Sequence, residues 1–116
     1  MEVVNSVQTM REMARQWARD ERTLVGFVPT MGALHRGHES LIQIAKDRGN
    51  KIVLSNFVNP LQFNDPADLQ KYPRTPDADK KLAKNAGVDV YFEPPGEEMF
   101  PPGFLTTVNV SHISRR

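Results

Sequence analysis

A short apolar run, Leu24, Val25, Gly26, Phe27 and Val28, leads directly into the segment P-T-M-G-A-L-H-R-G-H, Pro29 to His38. Glu39, Ser40, Leu41, Ile42, Ile44 and Ala45 follow, with apolar positions at helical spacing. A strand that feeds a glycine-containing loop and then a helix commits the chain to an α/β architecture, and the remaining segments alternate in the same way. Glu2–Val4 reads as a short first strand. Asn5 or Ser6 caps a helix running to about Asp20, whose stripe of Val7, Met10, Ala14, Trp17 and Ala18 is expected to be core. The helix after the loop is predicted from Glu39 to about Arg48, ended by Gly49. Lys51–Val58 reads as a buried strand, carried by Ile52, Val53, Leu54 and Phe57.

Between Asn59 and Pro76 lies a long, proline-containing stretch in which Asp65, before Pro66, starts one helical turn. Thr75 is read as the cap of a further helix with Ala78, Leu82 and Ala86 on one face, terminated by Gly87. Val88, Val90, Tyr91 and Phe92 form a strand. Pro94–Gly103 is loop, and Thr106–Val110 is predicted as a final edge strand.

Loop composition points to chemistry at phosphate. Gly32 and Gly37 let the backbone turn and a phosphate approach closely. His38 falls at or near a helix N-terminus, where unpaired N–H groups and the helix dipole favour an anion by roughly 0.3–1 kcal/mol. Two imidazoles, His35 and His38, add donors. With an ordinary pKa of about 6.5 each is partly charged at neutral pH, and a nearby phosphate raises that share, so proton uptake is expected to accompany nucleotide binding. A well-placed donor in a transition state at phosphorus is worth about 3–4 kcal/mol, far more than the dipole. H-x-x-H also occurs as surface or capping histidines. Zinc fits poorly: the chain has no cysteine, and its only other histidine is His112.

This segment resembles the signature of the pantoate–β-alanine ligases, within the wider H-x-G-H nucleotidyltransferase group. Phe57-Val58-Asn59-Pro60-Leu61-Gln62-Phe63 is similar to that family's F-V-N-P-x-Q-F, and Tyr72-Pro73-Arg74-Thr75 to its Y-P-R-T. Gly87-Val88-Asp89 and Met99-Phe100-Pro101-Pro102-Gly103 follow in the family's order. The resemblance implies a Rossmann-like fold, a mostly parallel sheet flanked by helices, with residues 1–116 forming an N-terminal nucleotide- and pantoate-binding domain. The family's C-terminal domain, with its G-x-K-D and M-S-S-R-N stretches, is absent from this sequence, so the chain is expected to be part of an enzyme. The family usually carries isoleucine or another apolar residue where this chain has Asn56, which needs a hydrogen-bond partner if buried.

The implied reaction is the ATP-dependent condensation of pantoate with β-alanine to pantothenate. It runs through a pantoyl adenylate, releasing pyrophosphate and then AMP. His38 and His35 are the implied catalytic pair. Pro29, Thr30, Met31, Gly32, Ala33, Leu34, His35, Arg36, Gly37 and His38 would line the ATP site, Met31 and Gln62 would hold pantoate, and Gln62 would also meet β-alanine. An amide that both donates and accepts suits a hydroxy acid. Asn59 and Tyr72 are further candidates, and Arg74 a weaker one. Mg2+ would bridge phosphate oxygens and keep its waters, with no protein-held metal expected. The full-length family implies a homodimer. Two other readings remain open: a different H-x-G-H nucleotidyltransferase, or an ATP- and pantoate-binding module without turnover.

At 116 residues there is room for one domain, burying about two-thirds of the surface of its unfolded chain. Charged residues make up 25% and the net charge is +1, so nothing signals a nucleic-acid or membrane surface. Neither a membrane-length apolar stretch nor a signal-like start is seen, and a cytoplasmic protein is expected.

Overall fold

The computed structural model describes residues 1–59 and 65–96. They form four strands, β1 (Glu2–Val4), β2 (Val25–Thr30), β3 (Lys51–Asn56) and β4 (Val90–Phe92), and four helices, α1 (Val7–Ala18), α2 (Arg36–Arg48), α3 (Pro66–Lys71) and α4 (Pro76–Ala86). The strands make one sheet in the order β1-β4-β3-β2, and every pairing is parallel. The expected Rossmann-like α/β architecture is therefore present. The edge strand expected over Thr106–Val110 lies outside the described residues.

The alternation of side chains along β3 and β4 divides the core in two. Ile52, Leu54 and Tyr91 face one side, where they meet Val28, Ile42, Ala83 and Val88, with Leu34, Ala45, Leu82 and Ala86 packed against them. Val53, Val90 and Phe92 face the other, with Val4, under Val7, Met10, Met13 and Trp17 of α1. The α1 stripe is thus one residue off the expected one. Ala14 and Ala18 are exposed and Met13 takes the inward position, since the face of α1 laid on the sheet is the one carrying Val7, Met10, Met13 and Trp17. Asp89 joins β3 to β4: its Oδ2 accepts the Ile52 N–H at 2.8 Å, and its own N–H donates to the Ile52 carbonyl at 2.9 Å.

Several boundaries move relative to the sequence reading. β2 runs beyond Val28 through Pro29 and Thr30, opposite Ser55 and Asn56. Proline is tolerated because β2 is an edge strand among the described residues and needs no ladder donor on its outer side. α2 begins at Arg36 rather than Glu39, since His35 and not a residue after Gly37 caps it. β3 stops at Asn56 rather than Val58, and β4 starts at Val90 rather than Val88. The single turn expected after Asp65 is the six-residue α3, capped by Asp65 accepting the Ala67 N–H at 2.9 Å.

Candidate active site

Because β2, β3 and β4 are parallel, their carboxyl ends share one rim, and the loops leaving Thr30, Asn56 and Phe92 meet there. A cavity of about 440 Å³ opens at this rim, lined by Met31, Gly32, Asn56, Phe57, Arg74 and Asp79 among others. Thr30 starts the turn. Its hydroxyl donates to the Ser55 carbonyl at 2.9 Å and accepts the Gly32 N–H at 3.2 Å. Gly32 and Ala33 then take left-handed conformations, with φ of +83° and +51°. At Gly32 a Cβ would also meet the Asn56 Oδ1 at 2.7 Å and the Asp79 Oδ2 at 3.1 Å, so glycine is required twice over. At Ala33 the same backbone region costs about 1–3 kcal/mol and has to be held by something.

Asp79 holds it. This carboxylate sits in the first half of α4, 2% exposed. Its Oδ2 accepts the Ala33 N–H at 3.0 Å and its Oδ1 the Leu34 N–H at 2.8 Å. The Thr75 hydroxyl donates to Oδ1 at 3.0 Å, and the Asn56 side-chain amide to Oδ2 at 3.4 Å. Thr75 therefore stands at the N-cap position without capping, its hydroxyl spent on Asp79. Asn56 finds the partners that a polar residue ending a buried strand needs, since the same amide donates to the Tyr91 hydroxyl at 2.6 Å. Burial, together with Glu93 and Asp79 nearby, pushes the Tyr91 phenol up to about 12, against the opposing pull of the Asn56 bond.

Beyond Leu34 the two histidines cap the helix reciprocally. His35 is the N-cap residue, and its Nδ1 accepts the Gly37 N–H at 3.0 Å, while the His38 Nδ1 accepts the His35 N–H at 3.1 Å. Their ring centroids lie 4.3 Å apart. A Cβ on Gly37 would come within 2.8 Å of the His35 ring, so that glycine makes room for the cap. An imidazole that accepts through Nδ1 is neutral and carries its proton on Nε2. In agreement, the pKa of half-buried His38 is lowered below its ordinary value by burial and then by neighbouring His35, with Asp79 opposing. The capping and phosphate readings of H-x-x-H are thus compatible: one nitrogen of each ring caps, and the other is left as a donor.

That arrangement corrects one expectation. The backbone from Gly32 to His38 does not offer a row of unpaired amides to an anion. The N–H groups of Gly32, Ala33, Leu34, His35, Gly37 and His38 are accepted by Thr30, Asp79, Asp79, His38, His35 and the His35 carbonyl respectively. The donors left over on this segment are the Arg36 backbone N–H, at the first position of α2, and the imidazole Nε2–H groups.

Of the other sequence candidates, Met31 and Arg74 line the cavity, Asn59 is buried, and Tyr72 is half-buried. Arg74 forms no ion pair among the described residues. Gln62 lies outside the described residues. His35 and His38 are not in the cavity lining, to which the same loop contributes Met31 and Gly32. Among the described residues no cluster of three or more histidines and carboxylates could hold a metal ion, and the Asp79 oxygens are already occupied by four donors. Sequence reading missed Asp79. Its signal was the i, i+3, i+4, i+7 relation to Leu82, Ala83 and Ala86, which puts an acidic residue on the inward stripe of α4.

Residues 2–116 match the family of pantoate-beta-alanine ligases. Pantothenate synthetase of Solidesulfovibrio magneticus is 50% identical over 115 residues, covering 99% of this chain and 40% of that protein. That of Cereibacter sphaeroides is 47% identical over 112 residues, covering 97% and 40%. Among solved structures, pantothenate synthetase from Thermus thermophilus superposes with a TM-score of 0.79 at 46% identity, over 91% of this chain and 36% of that one. Pantoate-beta-alanine ligase from Francisella tularensis, complexed with beta-gamma ATP and beta-alanine, gives a TM-score of 0.84 at 38% identity, over 90% and 40%. The chain spans about two-fifths of the length of the curated relatives it matches. With fold, motif order and similarity agreeing along its length, the chain belongs to the pantoate-beta-alanine ligase family.

Proposed function

We propose that residues 1–116 form the N-terminal, nucleotide- and pantoate-binding part of an ATP-dependent ligase that condenses pantoate with β-alanine. The observation that carries this reading is the reciprocal imidazole cap, in which both Nδ1 atoms are internal acceptors and both Nε2–H groups remain as donors. In the first step a pantoate carboxylate oxygen attacks the α-phosphorus of ATP. The bond from that phosphorus to the bridging oxygen breaks, and pyrophosphate leaves. His38, with His35 assisting, donates through Nε2–H to the phosphate oxygens as charge grows on them, each well-placed donor being worth about 3–4 kcal/mol. In the second step the β-alanine amine attacks the acyl carbon, AMP leaves with the electron pair, and the amine gives up a proton.

Met31 and Gln62 are proposed to hold pantoate, with Gln62 also meeting β-alanine and Asn59 and Tyr72 supporting the pocket. The rim cavity beside Met31 is the proposed pantoate space. Pro29 to His38 are proposed to line the ATP site mainly through side chains and loop shape, with the Arg36 N–H the one backbone donor of the segment from Gly32 to His38 that has no internal acceptor among the described residues. Magnesium is proposed to enter as the ATP complex, bridging phosphate oxygens and keeping its waters.

Pantoate-dependent pyrophosphate release from MgATP tests the reading. Release by this chain above the level of a His38→Ala variant is expected. A second reading is binding of ATP and pantoate without turnover. Calorimetric binding of both ligands to a folded chain, with no pyrophosphate formed, would select it.

A further inference from the structure

Asp79 has no part in the chemistry just proposed, yet it is among the most deeply buried polar groups described and borders both the rim cavity and the loop. Its surroundings leave it few roles. A general base needs a lone pair directed at substrate, and a metal ligand needs one directed at the ion. Both oxygens of Asp79 are instead engaged by two donors each. Two of those donors are consecutive backbone amides 45 and 46 positions away in sequence, at the point where the chain passes through left-handed Ala33. The next residue after Leu34 is His35, whose N–H donates to the His38 Nδ1 and whose own Nδ1 accepts the Gly37 N–H.

We propose that Asp79 is the positioning residue for the imidazole pair: by clamping the Ala33 and Leu34 amides it fixes where α2 begins and so where the His35 and His38 Nε2–H groups point. The link to phosphate rests on the functional reading above; the clamp itself does not. Asn56 shares the task from the opposite side, as its amide braces Oδ2 against the Tyr91 hydroxyl. Charge alone is not what Asp79 supplies. A carboxylate acting only at a distance raises the proton affinity of His38, against burial and His35, which lower it, whereas a clamp holds the geometry in which the His38 Nδ1 accepts the His35 N–H.

The two roles predict opposite responses in Asp79→Asn, an isosteric change that turns one acceptor into a donor facing an amide. If Asp79 is a clamp, the Ala33 and Leu34 amides exchange with solvent about ten-fold faster or more relative to Val53 and Leu54 in β3. The His38 imidazole titration, followed by NMR, then moves up toward the ordinary range as the cap opens, and MgATP binds about ten-fold more weakly. If Asp79 acts only by its charge, Ala33 and Leu34 stay protected and the His38 titration moves further down, which overturns the proposal. Should Asp79→Asn fail to fold, the wild-type chain still decides. Ala33 and Leu34 amides exchanging as fast as the exposed turn at Glu21 and Arg22 would overturn the clamp, and protection matching the β3 amides would support it. Thr75→Val removes one donor but neither amide, and is expected to keep that protection. A wild-type chain that protects these amides but does not bind MgATP would refute the nucleotide reading while leaving the clamp standing.

Discussion

The backbone N–H of His35 donates to the Nδ1 of His38 at 3.1 Å, while the Nδ1 of His35 accepts the N–H of Gly37 at 3.0 Å, so each imidazole of the motif is built into the start of α2. Helix caps are usually short oxygen-bearing side chains. Using imidazoles instead makes the helix start sensitive to proton concentration, because a protonated Nδ1 cannot accept.

Stability is therefore expected to fall with acidification. Burial and His35 lower the folded-state pKa of His38 below its ordinary value of about 6.5, so the unfolded chain takes up this proton more readily than the folded one. The contribution is complete above about 6.5 and is lost as pH falls through the lowered folded value. Urea midpoints measured between pH 8 and pH 5 should decline over this window, and His38→Gln should flatten that part of the profile. Equal slopes in the two proteins would remove His38 as the cause.

His38→Ala is expected to lower pantoate-dependent pyrophosphate release about 10²-fold or more while leaving the β3 amides protected. Steady-state turnover at saturating MgATP, read beside hydrogen exchange, separates the two effects. Wild-type turnover in the variant would contradict a catalytic role for His38.

Asn56 and Tyr91 form a partly buried pair in which the Asn56 amide also reaches Asp79. Asn56→Ile alone leaves the Tyr91 hydroxyl without its donor and is expected to cost about 1–3 kcal/mol. Combining it with Tyr91→Phe takes away both partners of that bond and is expected to recover the part of the loss that belongs to it, leaving the part due to the missing donor on Asp79. A double-mutant cycle from denaturation curves measures the coupling, and strictly additive losses would show that the 2.6 Å contact carries no energy.

Gly32→Ala is expected to destabilise by about 1–3 kcal/mol, since φ is +83° and the new methyl would meet Asn56 and Asp79. For a domain of this size each kcal/mol lowers Tm by about 4–8 °C, which calorimetry resolves. A Tm within one degree of wild type would mean that the turn relaxes without strain.

What could be read from sequence and what could not follows from how each signal is encoded. The strands announce themselves because Ile52, Val53 and Leu54 are apolar on both faces, and the histidine loop because Gly32, His35, Gly37 and His38 lie within seven consecutive positions. The start of α2 was misplaced because no propensity scale treats His35 as a cap. Asp79 was missed because an acidic residue in the first turn of a helix ordinarily serves the dipole from solvent. Only the fold brings it to Ala33 and Leu34. The shift from Ala14 to Met13 in α1 reflects which face the sheet presents, a tertiary fact that a helical stripe with two registers does not contain. Gln62 lies outside the described residues, so its proposed place rests on resemblance.

The most direct measurement is the ¹⁵N NMR spectrum of the imidazoles at neutral pH, with and without MgATP. A reciprocal cap that leaves its outer nitrogens for phosphate predicts, in the free chain, rings that carry their proton on Nε2 at both His35 and His38, and MgATP-induced shifts concentrated at those Nε2–H groups. Rings protonated on Nδ1, or Nε2 resonances unmoved by saturating MgATP, would contradict it.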